Sequence, residues 1–256
     1  MGKIIAIANQ KGGVGKTTTA VHLAAALKLD GKKVLLVDFD TQGDASVYLG
    51  FDGNENESIS TLFKAFVSGT EVNIDDFIHT SERNGGIDYI PSDLSLAEAE
   101  LYLVSIMARE TVLKRLLEQV KDNYDYIIID CQASLGVLVI NALTAADGVI
   151  IPAQTQEFSK KALNAVTNTI SQIQKTINPN LEFLGVLPTM VDNTAMTRDT
   201  SQEYKETFGE KVFSTGISRS VTASYSSRDQ KALCFKNSSK IGLQYKTFAE
   251  EVERRI

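Results

Sequence analysis

Lys16 and Thr17 stand near the end of a ten-residue stretch, Asn9-Gln10-Lys11-Gly12-Gly13-Val14-Gly15-Lys16-Thr17-Thr18, whose composition suits a polyphosphate. A glycine-rich loop that enters a helix turns several backbone N–H groups toward one point, and the helix N-terminus adds partial positive charge there. The Lys16 ammonium can reach the β- and γ-phosphates of a nucleotide, and the Thr17 hydroxyl can ligate Mg²⁺. The general loop pattern G-x-x-x-x-G-K-[ST] has glycine where this chain has Gln10, and a second lysine, Lys11, follows. Two apolar runs end in carboxylates. Asp38 follows residues 33–37 and Asp130 follows residues 124–129. A hydrophobic strand ending in aspartate places a carboxylate beside the metal of such a loop. Asp38 can hold Mg²⁺ through water, and Asp40, two residues on, adds a second carboxylate where the strand gives way to loop.

These residues need a scaffold. Residues 3–8 are apolar and β-branched, as a buried strand is. Ala20, Leu23, Ala24 and Leu27 follow at i, i+3, i+4, i+7, the core stripe of a helix, and Gly31 suits its C-cap. Residues 52–57 read as a polar loop, 58–66 as a short helix, Gly85-Gly86 as a turn, and 87–90 as a strand ended by Pro91. A helical stretch over 94–120 carries a stripe through Leu113, Leu116, Leu117 and Val120. Residues 141–147 close a helix and 148–152 form a strand. A long helix follows, with a stripe at Leu163, Val166, Ile170, Ile173 and Ile177. Residues 184–190 form another strand, 217–220 a loop, and the tail presents Ile241, Tyr245, Phe248, Val252 and Ile256 on one helical face. Strand and helix alternate throughout. The expected fold is α/β: one domain over 1–256, with a mostly parallel twisted sheet of six to eight strands and helices on both faces.

At 256 residues such a domain buries about 75% of its unfolded surface. No apolar run nears the ~20 residues of a membrane span, and the first is too short for a secretory signal. Met1-Gly2 lacks the Ser or Thr at position 6 that myristoylation favours, since Ala6 stands there. Cys131 and Cys234 have no metal-ligand spacing and read as reduced thiols, so a cytoplasmic location is expected. His22 and His79 have no ligand or triad partners nearby in sequence and read as structural. Residues 219–256 hold eight basic and four acidic side chains, a balance of +4 inside a chain of net charge −6, leaving −10 on the remainder. A basic surface on an acidic body can bind a phosphate backbone without reading sequence.

The loop from Lys11 to Thr18 resembles the deviant Walker A motif of the ParA/MinD family of P-loop ATPases. Residues 38–46 are similar to that family's D-x-D-P-Q-G-N switch, with Thr41 for proline. Residues 130–136 are similar to its D-x-P-P-S-L-G switch, with Gln132 and Ala133 for the two prolines. The resemblance spans Ile4 to at least Arg219. It is closest to the short ParA/Soj-type partition ATPases without an N-terminal helix-turn-helix, since the first strand begins at residue 3.

The resemblance implies ATP and Mg²⁺ as cofactors. Nucleotide would be held by Lys11, Gly12, Gly13, Val14, Gly15, Lys16, Thr17 and Thr18, and metal by Thr17, Asp38 and Asp130. Lys11 would reach across an ATP-sandwich homodimer to the other protomer's nucleotide, with Lys16 and a water-orienting Asp40 completing a catalytic trio. Met190, Ser218 and Ser220 would frame the adenine, although the family usually has Pro-Arg-Asn at 218–220. Nonspecific DNA would be bound through Arg219. Thr222 replaces a second family arginine, so Arg228, Lys231, Lys236 and Lys240 are the further DNA candidates. A ParB-type centromere-binding partner would stimulate hydrolysis on the nucleoid. A MinD-like membrane-associated positioning ATPase is the alternative, but Glu250, Glu251 and Glu253 would repel anionic lipid from the tail helix. A nitrogenase-iron-protein-like cluster lacks its paired cysteines, and a small-molecule phosphotransferase has little use for Lys11 and the Asp-Thr-Gln-Gly switch.

Overall fold

Successive side chains of a strand point to opposite faces, so the unbroken apolar runs of this chain demand cover on both sides of a sheet. A computed structural model describes residues 2–53, 57–155, 160–236 and 238–256; residues 54–56 of the expected polar loop lie outside these. In chain order the elements are β1 (Lys3–Ile7), α1 (Lys16–Leu29), β2 (Val34–Phe39), α2 (Asp44–Leu49), α3 (Ile59–Val67), β3 (His79–Ser81), β4 (Ile87–Ile90), α4 (Ala99–Tyr102), α5 (Val112–Leu117), β5 (Tyr126–Cys131), α6 (Val137–Ala145), β6 (Gly148–Gln154), α7 (Lys160–Thr176), β7 (Glu182–Val191), α8 (Ala195–Phe208), β8 (Ile217–Ser218), α9 (Val221–Arg228) and α10 (Lys240–Glu253). The eight strands run in the order β3-β4-β2-β5-β1-β6-β7-β8. All pairs are parallel except β3 with β4.

The alternation is visible residue by residue. Ile4, Ala6, Leu35 and Val37 enter a core covered by α3, α5, α6 and α7. Ile5, Ile7, Val34 and Leu36 enter a second core beneath α1, α2 and α10. The α1 stripe is wider than its spacing implied. Val21, His22, Ala25 and Ala26 are buried beside the expected Ala20, Leu23, Ala24 and Leu27, because α2, α10 and the turn at 233–235 also pack on α1. Full burial of Leu23 and Leu27 stabilises this placement by about 2 kcal/mol each.

Several expectations need correction. The continuous helix over 94–120 is broken: 3₁₀ turns flank the single turn of α4, Ile106 is extended, and Ala108 is left-handed. Leu101, Val104 and Met107 face solvent, so no core stripe holds this stretch straight. The side chain of Asn141 then starts α5 afresh, accepting from Leu113 N–H at 3.1 Å and donating to the Arg109 carbonyl at 2.9 Å. Residues 217–218 form a short edge strand rather than loop. Ile177 lies past the end of α7 and is 38% exposed. Sequence gave no sign of the antiparallel edge strand β3 or of α8.

Candidate functional site

β1 is flanked by β5, with β2 next, so the carboxyl ends of these three strands converge below the start of α1. The connection from β1 to α1 is the glycine loop. Gly13 and Gly15 have φ of +71° and +89°, a region costly to other residues. A Cβ at Gly12, Gly13 or Gly15 would meet no atom within 4 Å, so the loop fronts open space. Alternation of right- and left-handed residues curls backbone N–H groups into an anion-binding concavity, with the N-terminus of α1 behind it.

Three side chains to which sequence assigned no role hold this loop. Asn9 Nδ2 donates to the Pro152 carbonyl at 2.7 Å, while its Oδ1 accepts from Lys11 N–H at 3.0 Å. Gln154, ending β6, donates to the Gly13 carbonyl at 2.6 Å, and Thr189 of β7 donates to the Val14 carbonyl at 2.9 Å. The signal available beforehand was position: all three strands end here, at the edge where ligands bind open α/β sheets. His22 braces the helix from behind. Its Nδ1 donates to the Thr18 carbonyl at 2.8 Å and its Nε2 accepts from Leu233 N–H at 3.1 Å. That pairing suits only the neutral ring, and burial lowers its pKa to about 4.

Asp38 and Asp130 are register partners on adjacent strands, both fully buried. Their surroundings differ. Asp38 Oδ1 accepts from Asp40 N–H at 3.2 Å, and Oδ2 accepts from Ser46 N–H and Oγ at 2.8 and 2.6 Å. It therefore anchors the 40–46 segment; burial still pushes its carboxyl up to about 7. Both oxygens of Asp130 lack a hydrogen-bond partner among the described residues. Burial, then the neighbouring Asp38, raises its carboxyl well above the ordinary range, against the pull of the Thr17 hydroxyl and Lys16 ammonium. An orphaned buried carboxylate beside a hydroxyl and a lysine is a donor set that fits Mg²⁺. Asp40 is half-buried and turns back to accept from Gln42 N–H at 3.1 Å. The 132–136 segment is tied outward, with Gln132 donating to Glu100 at 3.2 Å.

Beside the loop lies a cavity of about 370 Å³ that brings together the expected base-end residues Met190, Ser218 and Ser220 with Val14, Thr18 and Tyr245. Met190 has a φ of +53°, a strained conformation for a side-chain-bearing residue, worth about 1–3 kcal/mol and concentrated at ligand sites. Lys11 is half-buried at the loop's entrance.

Arg219 is exposed on the cavity rim, while Arg228, Lys231, Lys236 and Lys240 are exposed across the end of α9, the following connection and the start of α10. Lys236 lies 3.7 Å from Asp229. Arg255 does not belong to this surface. It stacks on Phe213 at 4.0 Å and donates to the carbonyls of Leu184 and Val212.

A mostly parallel sheet, an open left-handed glycine loop feeding a buried helix, and a buried aspartate on the adjacent strand with no hydrogen-bond partner among the described residues define a P-loop nucleotide-binding protein. Residues 2–183 match the AAA domain family. The chain is 48% identical over 225 residues to the sporulation initiation inhibitor protein Soj of Bacillus subtilis, spanning 88% of this chain and 87% of that one. It is 38% identical over 225 residues to the chromosome partitioning protein ParA of Caulobacter vibrioides, spanning 87% and 82%. The crystal structure of cobyrinic acid a,c-diamide synthase from Mycobacterium smegmatis with bound ADP and magnesium matches with a TM-score of 0.86 at 34% identity, over 99% of this chain and 95% of that one. The chain belongs to the ParA/Soj family of P-loop ATPases.

Proposed function

We propose that this protein is a Mg²⁺-dependent DNA segregation ATPase, of plasmid or chromosome partition, that closes as a homodimer over two ATP molecules. The observation that carries the reading is Asp130, a buried carboxylate with no hydrogen-bond partner among the described residues, beside Thr17 and Lys16 at the foot of an open phosphate loop. Leaving such a charge uncompensated costs several kcal/mol, and a divalent cation removes that cost. Kinship with a chromosome partitioning protein supplies the biological direction.

In this reading the triphosphate lies on residues 12–18, with Lys16 on its β- and γ-phosphates and the adenine in the cavity by Met190, Ser218 and Ser220. Thr17, Asp38 and Asp130 would hold Mg²⁺, and the ion would supply neutralisation of charge on the phosphoryl oxygens. Asp40 orients the attacking water. Lys11 of each protomer reaches the nucleotide of the other. Closure places two copies of the Arg219, Arg228, Lys231, Lys236 and Lys240 surface side by side on nonspecific DNA, and a ParB-type centromere-binding partner stimulates hydrolysis on the nucleoid. If six phosphates are contacted, affinity falls about 10³-fold between 50 and 200 mM salt. Against the membrane-associated alternative, Ile241, Tyr245, Phe248 and Val252 of α10 are already buried, and no helix among the described residues is long and apolar enough to cross a membrane.

The test is electrophoretic retention of nonspecific DNA with ATP, ADP or no nucleotide at two salt concentrations. Retention that needs ATP and weakens steeply with salt is expected. Retention indifferent to nucleotide would refute the ATP gate.

A further inference from the structure

Two hydrogen bonds join one side chain of α10 to one residue of the edge strand β8. Ser218 N–H donates to Gln244 Oε1 at 3.0 Å, and Gln244 Nε2 donates to Ser218 Oγ at 2.8 Å. The sheet explains why Ser218 needs them. Ser218 is the register partner of Val191, whose carbonyl accepts from Arg219 N–H instead. In a parallel ladder the partner residue turns its own N–H to the opposite side. For β8 that side is the edge of the sheet, where no described strand follows. An N–H left unpaired in a half-buried position costs about 1–3 kcal/mol. Gln244 supplies the acceptor that a ninth strand would have supplied.

The location gives the pairing a consequence. Ser218 is one of only two residues in β8, so the strand has little ladder of its own to fix it, and Ser218 also walls the 370 Å³ cavity beside the phosphate loop. Gln244 is half-buried and is not itself among the residues that line the cavity. We propose that Gln244 is a positioning residue for the base end of the nucleotide site, holding the Ser218 main chain as a fixed wall against which a purine packs. The proposal rests on assigning this cavity to the base.

Calorimetric titration separates the two ideas by using ATP and inorganic tripolyphosphate, which shares the phosphate chain and has no base. Gln244→Ala should lose about tenfold in ATP affinity, the equivalent of one unsatisfied N–H, with tripolyphosphate affinity unchanged. Gln244→Glu, whose carboxylate still accepts from Ser218 N–H, should stay within about threefold of the parent for ATP. Undiminished ATP affinity in Gln244→Ala, or an equal loss for both ligands, would overturn the positioning role. A parent protein that binds ATP no better than tripolyphosphate would overturn the cavity assignment, and the proposal with it.

Discussion

Asp130 and His22 are both fully buried ionisable groups, and their neighbours give them opposite consequences. Asp130 has a carboxyl whose ionisation is disfavoured by burial and no hydrogen-bond partner among the described residues; His22 has two partners that suit only its neutral form. Asp130→Asn removes a buried ionisable carboxyl, so it should stabilise the nucleotide-free protein by about 1 kcal/mol or more while abolishing the rise in melting temperature that MgCl₂ with ATP gives the parent. Thermal melts with and without MgCl₂ and ATP check both halves, and a variant that keeps the Mg²⁺-dependent rise would remove Asp130 from the metal site. His22 makes a pH prediction. Its pKa is about 4 folded against 6.5 unfolded, so the unfolded chain takes up the proton first. Its contribution to stability is therefore complete above pH 6.5 and is lost as pH falls from there toward 4, by on the order of 3 kcal/mol at most. Denaturant melts of the parent and His22→Gln at pH 7 and pH 4.5 should converge toward the acid end; a gap independent of pH would contradict the assignment.

At the scale of elements, the loop is held by strands that follow it in sequence by more than a hundred residues. Gln154→Ala frees the Gly13 carbonyl from β6. It should weaken ATP and tripolyphosphate binding alike, by about three- to tenfold, a pattern opposite to the one expected at Gln244. Calorimetry on the two ligands decides, and a loss confined to ATP would show that Gln154 does not act on the phosphate loop. The contrast between legible and hidden parts has the same origin. β1, the loop, α1, Asp38 and Asp130 were legible because local rules govern them: buried strands read as apolar runs, left-handed turns read as glycine, and the carboxylates terminate those runs. The Asn9, Gln154 and Thr189 clamps were hidden, since a polar residue at a strand end looks the same whether it faces solvent or a loop brought close by the fold. The broken stretch over 94–120 was misread because helix propensity ignores what lies opposite: with Leu101, Val104 and Met107 exposed, only the part captured by Asn141 becomes α5.

For the whole molecule the acidic body and basic C-terminal surface pose one question, which is whether nucleotide controls how many such surfaces meet the same DNA. Arg255 and Glu251 are withdrawn from that balance by their packing: Glu251 accepts from Ser214 and Thr215, and Arg255 stacks on Phe213. Of the other basic side chains in this region Arg254 is also exposed and Lys246 half-buried; the proposed DNA surface is the exposed set from Arg219 to Lys240. One protomer contributing about three phosphate contacts binds weakly at physiological salt, and two protomers held together double the salt exponent along with the contacts. Assembly is thus the step on which the proposed activity turns, and Lys11 is the residue it is assigned to. The most direct measurement is sedimentation velocity of the parent and Lys11→Ala with Mg²⁺ and either ATP or ADP, alongside ATP binding by calorimetry. The parent should sediment as a dimer with ATP and a monomer with ADP, and Lys11→Ala as a monomer in both while still binding ATP; a Lys11→Ala protein that dimerises with ATP and hydrolyses it at the parent's rate would contradict the account.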